Sequence, residues 1–455
     1  MKGDKNHQNE QKLFQALKDY DRYLKFCEWN KKIIMRDKLY QTNYFYNGRY
    51  WEIFTEDDLD FIAMEFFKSF HYSFNISEVE RLRKTIEKHL EKIGKPNLDF
   101  IAFNNGVINR KTGDFLPHNK DYFLRAAIDL DYSLEKHNTP NFNKWLDWTS
   151  QNNPVRRKTL LAALYMILSN CYQWQLFLEV TGVGGSGKSV FNKIALFLVG
   201  EHNAASVYLK DLEKPSARTK LLDKIFIYAP DQGKIATDGA VIKGLTGEDK
   251  LGFEPKYKEG FDDYVRAVFL ITGNEPIIFT EHNGGISRRR VLFHFADKVP
   301  ENMKDDNLTY KIKQEIPDII TLLIDTFKHN PQEAKELLIA QRDSKEALQI
   351  KMENDHLVHF ASFFEMKNKK GGLRPGVVVS AKNPFLAIYS AYLEYCRMMG
   401  IDRPINRRGF MNIFLEALRT NGNKEVYLEG TLDGYKTTNI YLKYPIDELK
   451  RQWEN

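Results

Sequence analysis

Cysteine is nearly absent from this chain. Its three cysteines in 455 residues (Cys27, Cys171 and Cys396) are too scattered for a disulfide framework or a Cys-rich zinc site. They are expected to be buried thiols in a reducing cytoplasm. No apolar run approaches the roughly 20 residues of a membrane helix, and the opening MKGDKNHQNEQK lacks the apolar centre of a signal peptide. A soluble intracellular protein without a membrane partner is expected. Internal repeats and low-complexity tracts are missing as well. So is a strong charge of one sign: 67 Lys+Arg against 61 Asp+Glu leaves +6, which permits a nucleic-acid partner without demanding one. What is present suffices for packed cores, with 42% hydrophobic and 28% charged residues, and the length gives a prior of about three domains.

Residues 1–150 mix helical patterns with many aromatics, expected as core and edge-strand packing in an α-rich domain. Asp57 and Asp58 precede an apolar-periodic run and mark a helix start. IAFNNGVINRKTGDFLP reads as two short strands joined by a turn at Lys111–Gly113, with Asn105-Gly106 a second turn signal. Residues 141–172 read as helical. From 176 the pattern changes to the strand-like runs FLEVT, IFIYA, AVFLIT and VLFHF, the first two separated by an amphipathic segment, as in a parallel α/β sheet. The core is expected over 151–302 and a helical region over 303–367. A basic linker, NKKGGLRP, is placed at 368–375. Helix, helix and hairpin then follow over 376–455, the order of a small winged-helix-like module.

The strongest chemical signal is Gly182-Val183-Gly184-Gly185-Ser186-Gly187-Lys188-Ser189, a G-x-x-x-x-G-K-[ST] loop between an apolar strand and a helix. Glycines let successive N–H groups face a phosphate, Lys188 brings a point charge to the β/γ oxygens, and the Ser189 hydroxyl is a ligand for Mg²⁺. ATP with Mg²⁺ is the expected cofactor pair. An acid is needed at a neighbouring strand end, and Asp231 stands 43 positions after Lys188. Gln232 occupies the place of a second acid and is able to orient water without taking its proton. Asn274, at the tip of the next strand, is positioned to sense the γ-phosphate. Arg288, Arg289 and Arg290 precede the last strand, where an arginine finger would lie, with Arg289 favoured by its spacing to the following F-x-F.

Loop, acid, strand-tip Asn and arginine motif fall between residues 182 and 290. This compact set resembles the superfamily 3 helicases, AAA+ ATPases of small viruses, satellite phages and plasmids. IKGLTGEDKLGFEPKYKEGF, with Lys243, Thr246, Gly247 and Asp249, looks like the extra motif of that superfamily. IAFNNGVINRKTGDFLPHNKDYF resembles the domain preceding the helicase in poxvirus-type and satellite-phage primase-helicases. The nearest type is a replication initiator helicase of a Gram-positive phage or phage-inducible island, which implies a bacterial host cytoplasm. The resemblance implies an AAA+ core and a ring, usually hexameric, that unwinds DNA by hydrolysis at subunit interfaces. It further implies a channel hairpin between acid and Asn, on which Lys256, Tyr257 and Lys258 would track single-stranded DNA. Without room for a fused primase, the chain is expected to unwind rather than prime. Arg403, Arg407 and Arg408 in the C-terminal module are candidates for duplex binding at a replication origin. Two other classes compete: an origin-binding ATPase that uses ATP mainly for assembly, and a small-molecule P-loop kinase.

Overall fold

The computed structural model describes residues 13–454, except 39, 98, 134–137, 234–235, 238, 248, 257–258, 280–284 and 378–382. These divide into two compact units. The first comprises 13–138, 197–203 and 314–328; the second comprises 139–196, 204–313 and 329–454.

In the first unit, three helices (Asp19–Trp29, Glu56–Ser69 and Ile76–His89) enclose an aromatic core containing Phe14, Phe26, Phe66 and Phe67. Two helix starts are closed by reciprocal capping boxes, Thr55 with Asp58 and Asn75 with Glu78. Each satisfies backbone donors that a helix end otherwise leaves orphaned, an effect worth about 1 kcal/mol. Asp57 and Asp58 therefore lie in the first helical turn, behind the capping Thr55. Ile34–Asp37, Thr42–Tyr46 and Trp51–Phe54 form an antiparallel sheet. The 101–116 stretch builds three strands rather than two, because both turn signals are used: Phe100–Ala102, Val107–Asn109 and Phe115–Leu116. Helix Ile316–Phe327 also belongs to this unit, where Thr321 meets the Tyr132 hydroxyl at 2.7 Å.

The second unit is built on a five-stranded, all-parallel sheet. Its members are β1 (Phe177–Gly182), β2 (Ala204–Ser206), β3 (Phe226–Gln232), β6 (Val268–Gly273) and β7 (Arg290–Phe295), in the order β7-β1-β6-β3-β2. Between β3 and β6, an antiparallel hairpin is formed by β4 (Lys250–Phe253) and β5 (Phe261–Tyr264). Every residue of β1 and β6 is buried, as expected for apolar runs covered on both faces. The helical segment expected over 141–172 forms two helices, α1 (Pro140–Thr149) and α2 (Pro154–Leu168). They are separated where Gln151 and Asn152 take positive φ, and α2 restarts on the Asn153 cap. Thr159 to Leu168 are all buried in α2. α3 (Lys188–Val199) follows the loop after β1.

In the C-terminal part of this unit, helices Ile388–Met398 and Arg407–Thr420 are followed by the hairpin Glu429–Leu432/Tyr435–Thr438, turning at Asp433-Gly434 with φ 50° and 79°. Two further elements complete it. Phe364–Met366 pairs with Ile440–Leu442, and helix Ile446–Glu454 places Trp453 in the same core as Phe360, Phe364 and Phe414. The stretch expected as a free linker is tied down: Gly372 N–H donates to Thr438 O and Leu373 N–H to Ile440 O, and Arg374 stacks 3.6 Å from the centroid of Tyr435. Gly372 also fits only as glycine, since a Cβ would stand 2.2 Å from the Ile440 carbonyl oxygen. Cys171 and Cys396 are buried, whereas Cys27 is exposed. No helix among the described residues is long and apolar enough to cross a membrane.

Candidate functional site at the sheet edge

Because the five strands run the same way, β1, β3 and β6 deliver their C-terminal ends to one edge. Ligand crevices of open α/β sheets lie at such edges. The β1 end turns at Gly182, with φ 141°, where a Cβ would lie 2.1 Å from the Phe295 carbonyl oxygen of β7. The loop then closes on Gly187, with φ 103°, against which Trp145 of α1 packs. Trp145 Nε1 donates to Gly187 O at 3.2 Å.

Within this wrap Lys188 is 7% exposed and donates its Nζ to both Gly182 O and Val183 O at 2.7 Å. Burial lowers its pKa, and the carboxylate of Asp231 pulls the other way. Ser186 is 1% exposed, and its hydroxyl finds no hydrogen-bond partner among the described residues. A buried polar oxygen without a partner costs free energy and calls for an explanation. Ser189, at the N-terminal turn of α3, is exposed. A cavity of about 240 Å³ runs from Ser186–Val190 to Trp145, Trp148, Met303 and Leu308.

Asp231 reaches this edge through a backbone irregularity. Ile271 of β6 pairs with Ala229, but Gly273 pairs with Gln232, so β3 carries one extra residue. Asp231 takes φ 47° there and is exposed rather than following the strand alternation. A bulge re-aims a side chain in this way, and Asp tolerates the left-handed region better than most residues. Gln232 turns inward instead. It is 4% exposed, accepts from Leu209 N–H at 3.3 Å and donates to Pro230 O at 2.8 Å. With its amide engaged by backbone, it is not placed to orient water, contrary to the sequence expectation. Asn274 lies exposed just past β6, and its carbonyl accepts from Gly182 N–H at 3.4 Å.

The three arginines separate sharply. Arg288 is exposed. Arg289, favoured from sequence as the finger, is 7% exposed and donates to Gly285 O at 2.7 Å. Its guanidinium and the Asp249 carboxylate each lie within 3.2 Å of where a Gly247 Cβ would stand. Arg290 is committed to the core through Glu179 of β1 and Ile277 O, over the Phe279 ring.

The expected hairpin is present as β4–β5, with Phe253 and Phe261 stacked at 5.6 Å. Lys256 is exposed on its turn, and Tyr257 and Lys258 lie outside the described residues. Arg403, Arg407 and Arg408 are exposed at the start of the Arg407–Thr420 helix, capped by Asn406. Sequence reading missed Trp145 and Trp148. The signal for them was two tryptophans three residues apart in a helix just upstream of the loop, which places them on one face.

The geometry gathers a glycine-rich loop, the buried Lys188 and the outward-turned Asp231 at one edge of a parallel α/β sheet. Residues 20–151 match the family described as D5 N terminal like. Residues 180–290 match a family of unknown function, DUF5906. An uncharacterized mitochondrial protein of Marchantia polymorpha, ymf21, is 26% identical over 153 residues, 30% of this chain and 85% of that protein. Among solved structures, the A form apo structure of the NrS-1 C terminal region aligns with a TM-score of 0.52 at 10% identity, over 92% of this chain and 99% of that one. A further apo structure of the NrS-1 C terminal region gives 0.51 at 11% identity, over 92% and 98%. The chain shares their fold.

Proposed function

We propose that this chain is an ATP-dependent, ring-forming DNA helicase of the AAA+ superfamily 3 type, serving as replication initiator of a mobile element. The observation that carries the reading is the convergence at one sheet edge of four groups: the Lys188 ammonium, the partnerless buried Ser186 hydroxyl, exposed Ser189, and Asp231 turned out by its bulge. The match of residues 20–151 to the D5 N terminal like family supports the replicative context.

In this reading Gly182–Gly187 wraps the β-phosphate, and Lys188 exchanges its two carbonyl partners for phosphate oxygens. Ser189 and Asp231 fit a magnesium ion, which would supply charge neutralisation for the phosphates. Asn274, bonded through its own carbonyl to the start of the loop, senses the γ-phosphate. Asp231 is left as the acid that serves both metal and water, because Gln232 is engaged elsewhere. The exposed Arg288, rather than Arg289 or Arg290, acts on the nucleotide of a neighbouring copy. Lys256, with Tyr257 and Lys258, contacts single-stranded DNA from the β4–β5 hairpin. The C-terminal module is read as winged-helix-like, with Arg403, Arg407 and Arg408 on duplex DNA. Six copies would close the ring. ATP hydrolysis stimulated by single-stranded DNA, together with displacement of a strand from a fork, tests the reading. A small-molecule kinase would show neither, and an assembly ATPase would show the first without the second.

A further inference from the structure

The first unit carries a concave polar surface that the nucleotide site does not use. A cavity of about 390 Å³ is lined by Arg36, Lys38, Gln41, Lys84, Glu87 and Lys88, with no apolar side chain among them. Its floor is a closed hydrogen-bonded set. Arg36 pairs with Glu87 at 2.8 Å and donates to Gln41 Oε1 at 2.9 Å and Asn43 Oδ1 at 2.5 Å. Asn43, 3% exposed, donates in turn to Glu87 Oε1 at 3.0 Å. Gln41, at φ 52°, donates to Lys38 O at 2.6 Å and so fixes the turn that carries Lys38.

The charges in this hollow do not cancel. Glu87, its single lining carboxylate, is already balanced by Arg36 and lies 3.6 Å from Arg83. Glu80 stands 4.0 Å from Lys84, with both side chains about half exposed, a pair too wet to neutralise it. Lys38, Lys84 and Lys88 thus present three ammonium groups around the hollow, all exposed. Lys84 and Lys88 are one helical turn apart, about 6 Å along the axis. Flat rings lie next along the chain: His89 stacks on Tyr23 at 4.7 Å and meets Tyr20, 52% exposed, at 5.3 Å.

We infer that this hollow is a docking surface for single-stranded nucleic acid, in which Lys38, Lys84 and Lys88 contact successive phosphates. One feature favours a strand over a small phosphate compound: the lysines line an open rim and do not converge on one buried point. Serial, solvent-exposed ammonium–phosphate contacts are how strands are held without sequence preference.

The test uses the full chain, a fluorescein-labelled oligo-dT strand and the triple variant Lys38→Ala/Lys84→Ala/Lys88→Ala. Affinity should fall at least tenfold near 0.1 M salt. The slope of log K against log salt should flatten by about 2, at roughly 0.7 per lost contact on a single strand. Basal ATP hydrolysis and thermal midpoint should stay at wild-type values, and a triple Lys→Arg variant should retain binding. Unchanged affinity and slope would overturn the inference, as would a wild-type chain that binds no strand. Loss of inorganic tripolyphosphate binding with oligo-dT binding intact would mark a small-polyanion site and contradict it equally. ATP plays no part in the binding readout, so failure here is separate from failure of the helicase reading.

Discussion

Arg290 at the start of β7 donates its Nε to Glu179 in the middle of β1, and both side chains are almost wholly withdrawn from water. Glu179 also accepts from Ile277 N–H at 2.8 Å, so this pair locks the strand beneath the Gly182–Gly187 loop to its neighbours. Of the three consecutive arginines, the third is therefore structural.

Removing one partner of such a pair strands a charge in the core. Arg290→Ala should cost about 3–5 kcal/mol of stability, visible as a lowered denaturant midpoint. Arg288→Ala, at an exposed position, should stay within about 0.5 kcal/mol of wild type. A fully stable Arg290→Ala variant would contradict the structural assignment.

In the proposed ring, its exposure makes Arg288 the candidate for the trans-acting arginine. Arg288→Ala should keep nucleotide binding but lose hydrolysis by about 10³-fold or more. Mixing it with Lys188→Ala subunits should restore activity, because one interface type then keeps both groups. If assembled mixtures recover nothing while Arg289→Ala mixtures do, Arg289 must leave its buried position on ring closure.

Lys351 gives a pH-dependent signature. Burial, helped by nearby Arg290, pushes its pKa down to about 8. With the folded value below the unfolded one, protonation opposes folding, so stability should rise as pH climbs from about 8 towards 10.5. The gain in thermal midpoint between pH 7 and pH 9.5 should be larger for wild type than for Lys351→Met. Equal gains would remove this lysine from the account.

In the C-terminal module, Arg403→Ala/Arg407→Ala/Arg408→Ala should weaken duplex binding and reduce its salt slope by about 2.7, at roughly 0.9 per phosphate contact. Residues 401–455 carry nine Lys+Arg against eight Asp+Glu, so little background charge masks the change. An unchanged slope would leave the module a packing element.

Much of this architecture was legible in the residues. β1, β3, β6 and β7 are built on apolar runs that are largely buried, so composition and length alone mark them. The loop could be read because its glycines answer a steric demand, as Gly182 does against Phe295. Other features depend on partners that no local pattern names. The extra residue that turns Asp231 out and Gln232 in exists only in the pairing of β3 with β6. The fates of Arg288, Arg289 and Arg290 depend on where Glu179 and Gly285 lie. Residues 368–375 look like a linker because their hydrogen bonds go to Thr438 and Ile440, some 65 positions away.

If the loop around Lys188 hydrolyses ATP to move DNA, as proposed, ATP should drive displacement of a labelled strand from a fork, measured for wild type and Lys188→Ala at equal protein concentration and confirmed fold. Wild type should displace the strand only with ATP and magnesium, and Lys188→Ala should displace none while still binding the fork. Equal displacement by the two proteins, or none by wild type despite strand-stimulated hydrolysis, would contradict the account.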